Sequence, residues 1–200
     1  MTASSLTDGA VSLPEIASAE GAAELAMLEA ARGGCPDAFR TLVERHQLRI
    51  HRFCQRYLRD EGEAREACQD TFIRAHGALG RFRPKGKVGT WLFRIALNLC
   101  RDRLRRKSRN HEPIDDHESR LPCHRAAPDE AAMRDADLAK LDRGLAALPE
   151  KFRAVLVLSC LEGLDHAECA DILKCSPRAV EGRLYRARQR LADWWDRERS

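Results

Sequence analysis

The sequence predicts an all-α protein of two small helical domains joined by a flexible linker. Three observations carry this. Apolar residues recur at helical spacing through most of the 200 residues,. The Val/Ile/Thr-rich alternation that sheets need is absent, and aromatics are only 6% of the chain, against 33% charged residues,. Finally, one polar stretch, "NHEPIDDHESRLPCHRAAPDEAA", holds three prolines and few large apolar residues, and it divides two helical blocks,.

Residues 1–23 read as a loose N-terminal tail: "MTASSLTDGAVSLPEIASAE" has neither the basic start nor the apolar block of a secretory signal,. No run of eighteen apolar residues offers a membrane span,. The first domain, 24–109, ends in a concentration of positive charge. From Arg81 to Arg109 there are eleven basic residues and one acid, Asp102, in a chain whose net charge is only +4. Such local excess points to a polyanion site rather than to general stickiness.

Within that segment, "GTWLFRIALNLCRDRLRRK" places Arg94, Asn98, Arg101 and Arg105 on one narrow helical stripe, with Trp91 beside its start,. Leu92, Ile95, Ala96, Leu99, Cys100 and Leu104 cover the broad remaining face, which must pack on other helices,. Guanidinium groups suit phosphates, an amide suits a base edge, and an indole can stack on a base. The preceding loop, "RFRPKGKVG", adds Arg83, Lys85 and Lys87, and a Pro/Gly loop of this kind can hold a single strand or an extruded base,. The alternative for the whole segment is a solvated basic face with a core tryptophan.

The linker spans 110–132 and is acidic. The second domain, 133–200, contains "LDHAECADIL", with Asp165 as N-cap and Glu168 three residues on, as in a capping box,. Lys174 and Cys175 form a tight turn. Ser176 caps the next helix, and Pro177 takes its first position,. In "SPRAVEGRLYRARQRL", Val180, Leu184, Ala187 and Leu191 make the buried stripe, while Arg178, Gly182, Arg186 and Gln189 project the other way. Two helices joined so closely, the second arginine-rich, have helix-turn-helix geometry. Arg178, Gly182 and Arg183, with Ala179 between them, are the candidates for base edges of duplex DNA. Arg186, Arg188 and Arg190 are the candidates for phosphates,.

The eight cysteines contain no CxxC pair, and most lie within apolar helical patterns, where free cysteine is a small hydrophobe,. A reducing cytoplasm is the expected location. Cys160, Cys169, Cys175 and His166 match no standard zinc spacing, and no metal or other cofactor is expected,. An enzyme acting on nucleic acid would need carboxylates or histidines at metal-binding spacing. Glu66 and Asp70 form an i, i+4 pair without a histidine partner, and no Walker loop, nucleophile elbow or HExxH is present,. A non-enzymatic DNA-binding protein is therefore expected. An operator-binding dimeric regulator and a cysteine-based sensor stay open as alternatives.

The stretches "DAFRTLVERHQLRIHRFCQRYL", "AREACQDTFIRAHGAL", "FRPKGKVGTWLFRIALNLCRDRLRR" and "ALPEKFRAVLVLSCLEGLDHAECADILKCSPRAVEGRLYRARQRL" together resemble the extracytoplasmic-function (group IV) RNA polymerase sigma factors of the sigma-70 family. The resemblance runs from about residue 24 to 195 apart from the linker. It implies a sigma-2 domain that captures and melts the promoter −10 element and a sigma-4 domain that reads the −35 element. By this resemblance the Phe82–Gly89 loop holds a flipped base, and Asn98 touches the non-template strand. The helix carrying Glu66, Gln69, Asp70, Ile73 and Arg74 docks on the clamp helices of the largest polymerase subunit, and sigma-4 docks on the flap tip of the second-largest. The implied partners are core RNA polymerase, promoter DNA and an anti-sigma factor, without membrane insertion. Helix spacing independently leaves those five residues outward, with Ala64, Ala67, Cys68, Thr71 and Phe72 buried. The chain departs from the family pattern at His76 and Gly77, at Lys174, where glycine is common, and at Glu181 on the recognition helix. A modest net charge and an acidic linker predict weak binding of the free protein to DNA, with selectivity supplied by the polymerase complex.

Overall fold

A computed structural model describes residues 13–81, 87–110 and 129–198. Among these residues there are eight α-helices: α1 (Leu13–Arg32), α2 (Pro36–Leu58), α3 (Glu61–Ala78), α4 (Val88–Asn110), α5 (Asp129–Ala147), α6 (Glu150–Leu156), α7 (His166–Leu173) and α8 (Pro177–Arg197). A 3₁₀ turn, Leu79–Arg81, follows α3, and a π turn, Val157–Leu161, continues α6. No strand occurs among the described residues.

In the first domain, α2 buries Leu42, His46, Ile50, Phe53, Cys54 and Tyr57 along one face. Opposite them α3 presents Ala64, Ala67, Cys68, Thr71, Phe72 and Ala75. Most of these side chains are small, so the two backbones approach closely. α4 completes the core with Val88, Leu92, Phe93, Ala96, Leu97, Leu99 and Cys100. Phe93 meets the Phe53 ring edge-on at 5.4 Å. The α2–α3 corner is tight: Arg59 adopts the left-handed conformation and its N–H donates to Gln55 O at 2.8 Å, after which Asp60 caps α3 by accepting from Glu63 N,.

The second domain packs α6, the π turn and α7 against α8. The predicted capping box is present: Glu168 N donates to the Asp165 carboxylate at 2.8 Å, and Asp165 N to that of Glu168 at 3.0 Å. Lys174 ends α7 at φ 51°, the left-handed region that favours glycine,. α5 crosses α8 at Gly144, where a Cβ would lie 2.7 Å from Leu191 Cδ1 and 2.9 Å from Trp194 Cε3. Arg153 closes the α5 end, its guanidinium donating to the carbonyls of Leu145, Ala146 and Leu148.

Two helix starts differ from the sequence reading. α1 begins at Leu13, inside the stretch read as a tail, and α5 begins at Asp129, inside the linker. Both openings are rich in Ala and Glu, so helix propensity rather than an apolar stripe builds them. The sequence reading says nothing of how the domains meet. The two domains pack on one another, α7 against α4 and the π turn against α2, and their buried side chains form a continuous core. The seam is polar as well. Glu162, its side chain only 5% exposed, lies between Arg49 and Arg56. Burial pushes its carboxyl above the ordinary range, against the pull of those two cations,. Its backbone carbonyl accepts from Arg49 at 2.8 Å, and Arg153 reaches across to the carbonyl of Tyr57.

Candidate nucleic-acid interface

α4 supplies the first candidate surface. Its apolar face is buried as the spacing requires, Ile95 and Leu104 only partly so. The stripe lies on the other side. Asn98 and Arg105 are exposed, the latter bonded to Asp102 one turn back. Trp91 is half-buried and packs against the core. The remaining cations are engaged by the second domain. Lys87 Nζ lies 3.1 Å from Glu168 Oε1, Arg94 pairs with Asp171, and Arg101 Nε donates to Glu150 Oε1 at 2.8 Å. Burial alone would lower the Arg101 pKa, but the Glu150 carboxylate more than reverses that. Tyr57 donates its hydroxyl to the same Glu150, and burial with this bond raises the phenol pKa. Arg83 and Lys85, with most of the Phe82–Gly89 loop, lie outside the described residues.

α8 supplies the second. Ser176 caps it, accepting from Ala179 N at 3.2 Å, and Val180, Leu184 and Ala187 are buried. Arg178, Arg186, Arg188 and Arg190 are exposed; Ala179, Gly182 and Arg183 are half-buried. Arg186 Nε donates to the Gly182 carbonyl at 3.1 Å, so its guanidinium folds over the space glycine leaves open. Arg190 sits over the Phe152 ring at 5.2 Å, and Arg188 reaches Cys160 Sγ at 3.5 Å. These last two turn back onto their own domain. Arg178 and Arg186, on the first half of the helix, form the outward cationic group, with the half-buried Arg183 beside them and the exposed Glu181.

α3 supplies a third surface with two edges. On one, Gln69 and Ile73 border a groove of about 930 Å³ whose walls include Phe39, Val43, Leu48 and Phe72. Ile73 is 60% and Leu48 56% exposed. His76 also lines it, its ring edge-on to Phe39 at 4.9 Å. On the other edge Glu66 and Asp70 are gathered, with Glu63, by Arg103 at 3.0, 2.7 and 2.6 Å. Arg74 is exposed. Sequence reasoning missed Leu48 and Arg103. Leu48 carried a signal, since it falls outside the α2 spacing Leu42, His46, Ile50, Phe53 and so had no core place. Arg103 carried none, because its partners lie 33 to 40 residues away.

No group of three or more His, Cys, Asp or Glu side chains arranged to hold a metal occurs among the described residues. Cys54, Cys68, Cys100 and Cys169 are buried. Burial pushes the Cys68 thiol up to about 11 and that of Cys169 up to about 12; the hydrogen bond with Cys100, then burial, raises Cys54,. These are packing thiols. Cys35 and Cys160 are exposed and Cys175 intermediate, while Cys123 and His124 lie outside the described residues. No helix among the described residues is long and apolar enough to cross a membrane.

Comparison with known proteins follows the same division. Residues 42–110 match the family model of Sigma-70 region 2, and residues 138–191 that of Sigma-70, region 4. The RNA polymerase sigma-H factor of Pseudomonas aeruginosa is 32% identical over 173 residues, covering 82% of this chain and 90% of that protein. The ECF RNA polymerase sigma factor SigW of Bacillus subtilis is 30% identical over 167 residues, covering 79% and 89%. Among solved structures, CnrH in complex with the cytosolic domain of CnrY superimposes with a TM-score of 0.67 at 32% identity, over 87% of this chain and 97% of that one. The sigma factor RpoE in complex with the anti-sigma factor NepR, from Bartonella quintana, gives 0.65 at 20% identity over 79% and 96%, a likeness of fold.

Proposed function

This chain belongs to the extracytoplasmic-function group of the sigma-70 family, RNA polymerase sigma factors that direct transcription initiation, and on that premise we propose how its surfaces divide the work. α4, with the loop before it, takes the −10 element. Asn98 meets a base edge, Trp91 stacks, Arg94, Arg101 and Arg105 hold phosphates, and Arg83, Lys85 and Lys87 surround an extruded base as the duplex melts. α8 enters the major groove of the −35 element, Arg178, Gly182 and Arg183 toward bases and Arg186 toward a phosphate. Arg188 and Arg190 join the phosphate contacts only by leaving Cys160 and Phe152. The α3 surface docks on the clamp helices of core polymerase, with Ile73 and Leu48 as apolar anchors and Gln69, Asp70 and Arg74 at the polar rim. The second domain meets the flap tip.

The observation that supports this best is the pairing, in one chain, of the α4 stripe, with Asn98 exposed on it, and a capped, arginine-fronted helix-turn-helix. Each of these suits a different form of DNA, single strand and duplex. No step of this work makes or breaks a covalent bond, so the chain acts as a binding factor in the cytoplasm. Two structural relatives are described in complexes, CnrH with the CnrY cytosolic domain and RpoE with an anti-sigma factor. By the same fold, an anti-sigma protein is the expected regulator here.

The test is reconstitution with core polymerase, followed by transcription of fragmented genomic DNA and mapping of transcript starts. A stoichiometric complex whose starts share two spaced upstream motifs is the expected result, with Asn98→Ala reducing strand opening. A chain that stays free of polymerase, with no inhibitor copurified, would overturn the reading.

A further inference from the structure

We propose that the second domain acts as an acidic clasp over the −10 surface, its carboxylates standing where the phosphates of the promoter strand would lie. The inference rests on the assignment of α4 to DNA. Three candidate DNA cations of the first domain each meet a different acid of the second: Lys87 with Glu168, Arg94 with Asp171, Arg101 with Glu150. The sign pattern runs one way at this seam, cations on α4 and its approach, acids on α6 and α7. Thr90 Oγ1 adds a bond to Glu168 at 3.2 Å, and Tyr57 adds its hydroxyl to Glu150. A carboxylate offers a guanidinium the same pair of anionic acceptors as a phosphate. Asn98, lying between the Arg94 and Arg101 pairs on the stripe, is left exposed. The base-reading group thus stays open while Lys87, Arg94 and Arg101 are occupied.

The strength suits a device that must open. The paired side chains are between 13% and 67% exposed, so solvent screens them,. Each such pair contributes about twofold to the closed population, and three together about tenfold. Polymerase and a promoter strand together would displace the clasp, whereas a free nucleic acid would compete with it at a disadvantage.

The full-length chain tests this directly. Glu150→Gln, Glu168→Gln and Asp171→Asn are combined in one variant. Gln at 168 keeps the helix cap, since it can still accept from Asp165 N. A charge-matched control carries Glu44→Gln, Glu61→Gln and Asp193→Asn, all exposed and away from the seam. Solution X-ray scattering reads domain separation. Anisotropy of a fluorescein-labelled single strand of mixed sequence, about 20 nucleotides long, reads binding. The clasp variant should have the larger radius of gyration and bind about tenfold tighter than wild type, a gain the control lacks. Adding Arg94→Ala and Arg101→Ala should remove the gain. No expansion, or an equal gain in the control, overturns the clasp. Expansion without tighter binding, or with a gain that survives the arginine substitutions, shows a seam that opens but does not guard α4. That result removes the mimicry, and if no gain appears at all it also removes α4 from the DNA surface.

Discussion

Replacing Arg103 by methionine tests how the α3 surface is held. The substitution keeps the aliphatic stem and removes the guanidinium. In the native chain that group is 17% exposed and meets Glu63 at 2.6 Å, Asp70 at 2.7 Å and Glu66 at 3.0 Å. The Glu66 contact, on a side chain 69% exposed, adds little,. Each of the other two is a charge-assisted hydrogen bond, worth about 1–1.5 kcal/mol after discounting for partners that are nearly half exposed. The net loss should be about 2–3 kcal/mol, which includes the mutual repulsion of the carboxylates left behind. In urea this lowers the midpoint by about 1 M. Urea denaturation followed by circular dichroism measures it, and co-elution with core polymerase measures the functional effect, because Asp70 is then free to turn away from the proposed docking rim. Lysine at 103, with no fork, should recover part of the stability and less of the polymerase binding. Adding Asp70→Asn to the methionine variant should recover some stability by relieving repulsion. A loss below about 0.5 kcal/mol, or a lysine variant equal to wild type, would refute the view that the fork organises α3.

Two further predictions concern the frame around the candidate DNA surfaces. Lys174→Gly should stabilise the second domain by about 1 kcal/mol, since Lys174 is exposed and holds φ 51° at the end of α7,; a rise in Tm of about 2–4 °C is the readout, and no rise would mean the turn carries no backbone strain. Glu24 forms an ion pair with His46 Nε2 at 3.1 Å, and contact with that imidazole holds its carboxyl below the ordinary glutamate value. Its contribution is therefore fully present above that ordinary value and is lost as pH falls through the depressed one. The stability gap between wild type and Glu24→Gln should close between about pH 5 and about pH 3, and a gap that widens with acid would refute the assignment.

Much of the framework of the candidate surfaces was legible because it rests on short-range rules. The Asp165–Glu168 box and the Ser176 cap each join residues three apart, and the buried stripe of α8 repeats within one helix, so chain order alone locates them. The outward set of α3 followed from the same period. Helix α1 was harder to see, because its propensity is high but its apolar periodicity is weak. Leu48 was visible only as a residue without a core place, and its role needed the neighbouring α3 to form the other wall of a groove.

Taken by itself, the sequence determined the all-α class, the caps and turns, the faces of α4 and α8, and the family, since each depends on residues close in the chain or on a pattern of motifs in order. Only the tertiary structure decided which charges meet. Arg94 and Asp171 are 77 residues apart, Arg101 and Glu150 are 49, and Arg103 draws in carboxylates from a separate helix. A cation on a helical stripe looks the same in sequence whether it faces solvent, a phosphate or another domain's carboxylate. The difference arises from packing, which brings distant apolar faces together and carries their polar edges into contact.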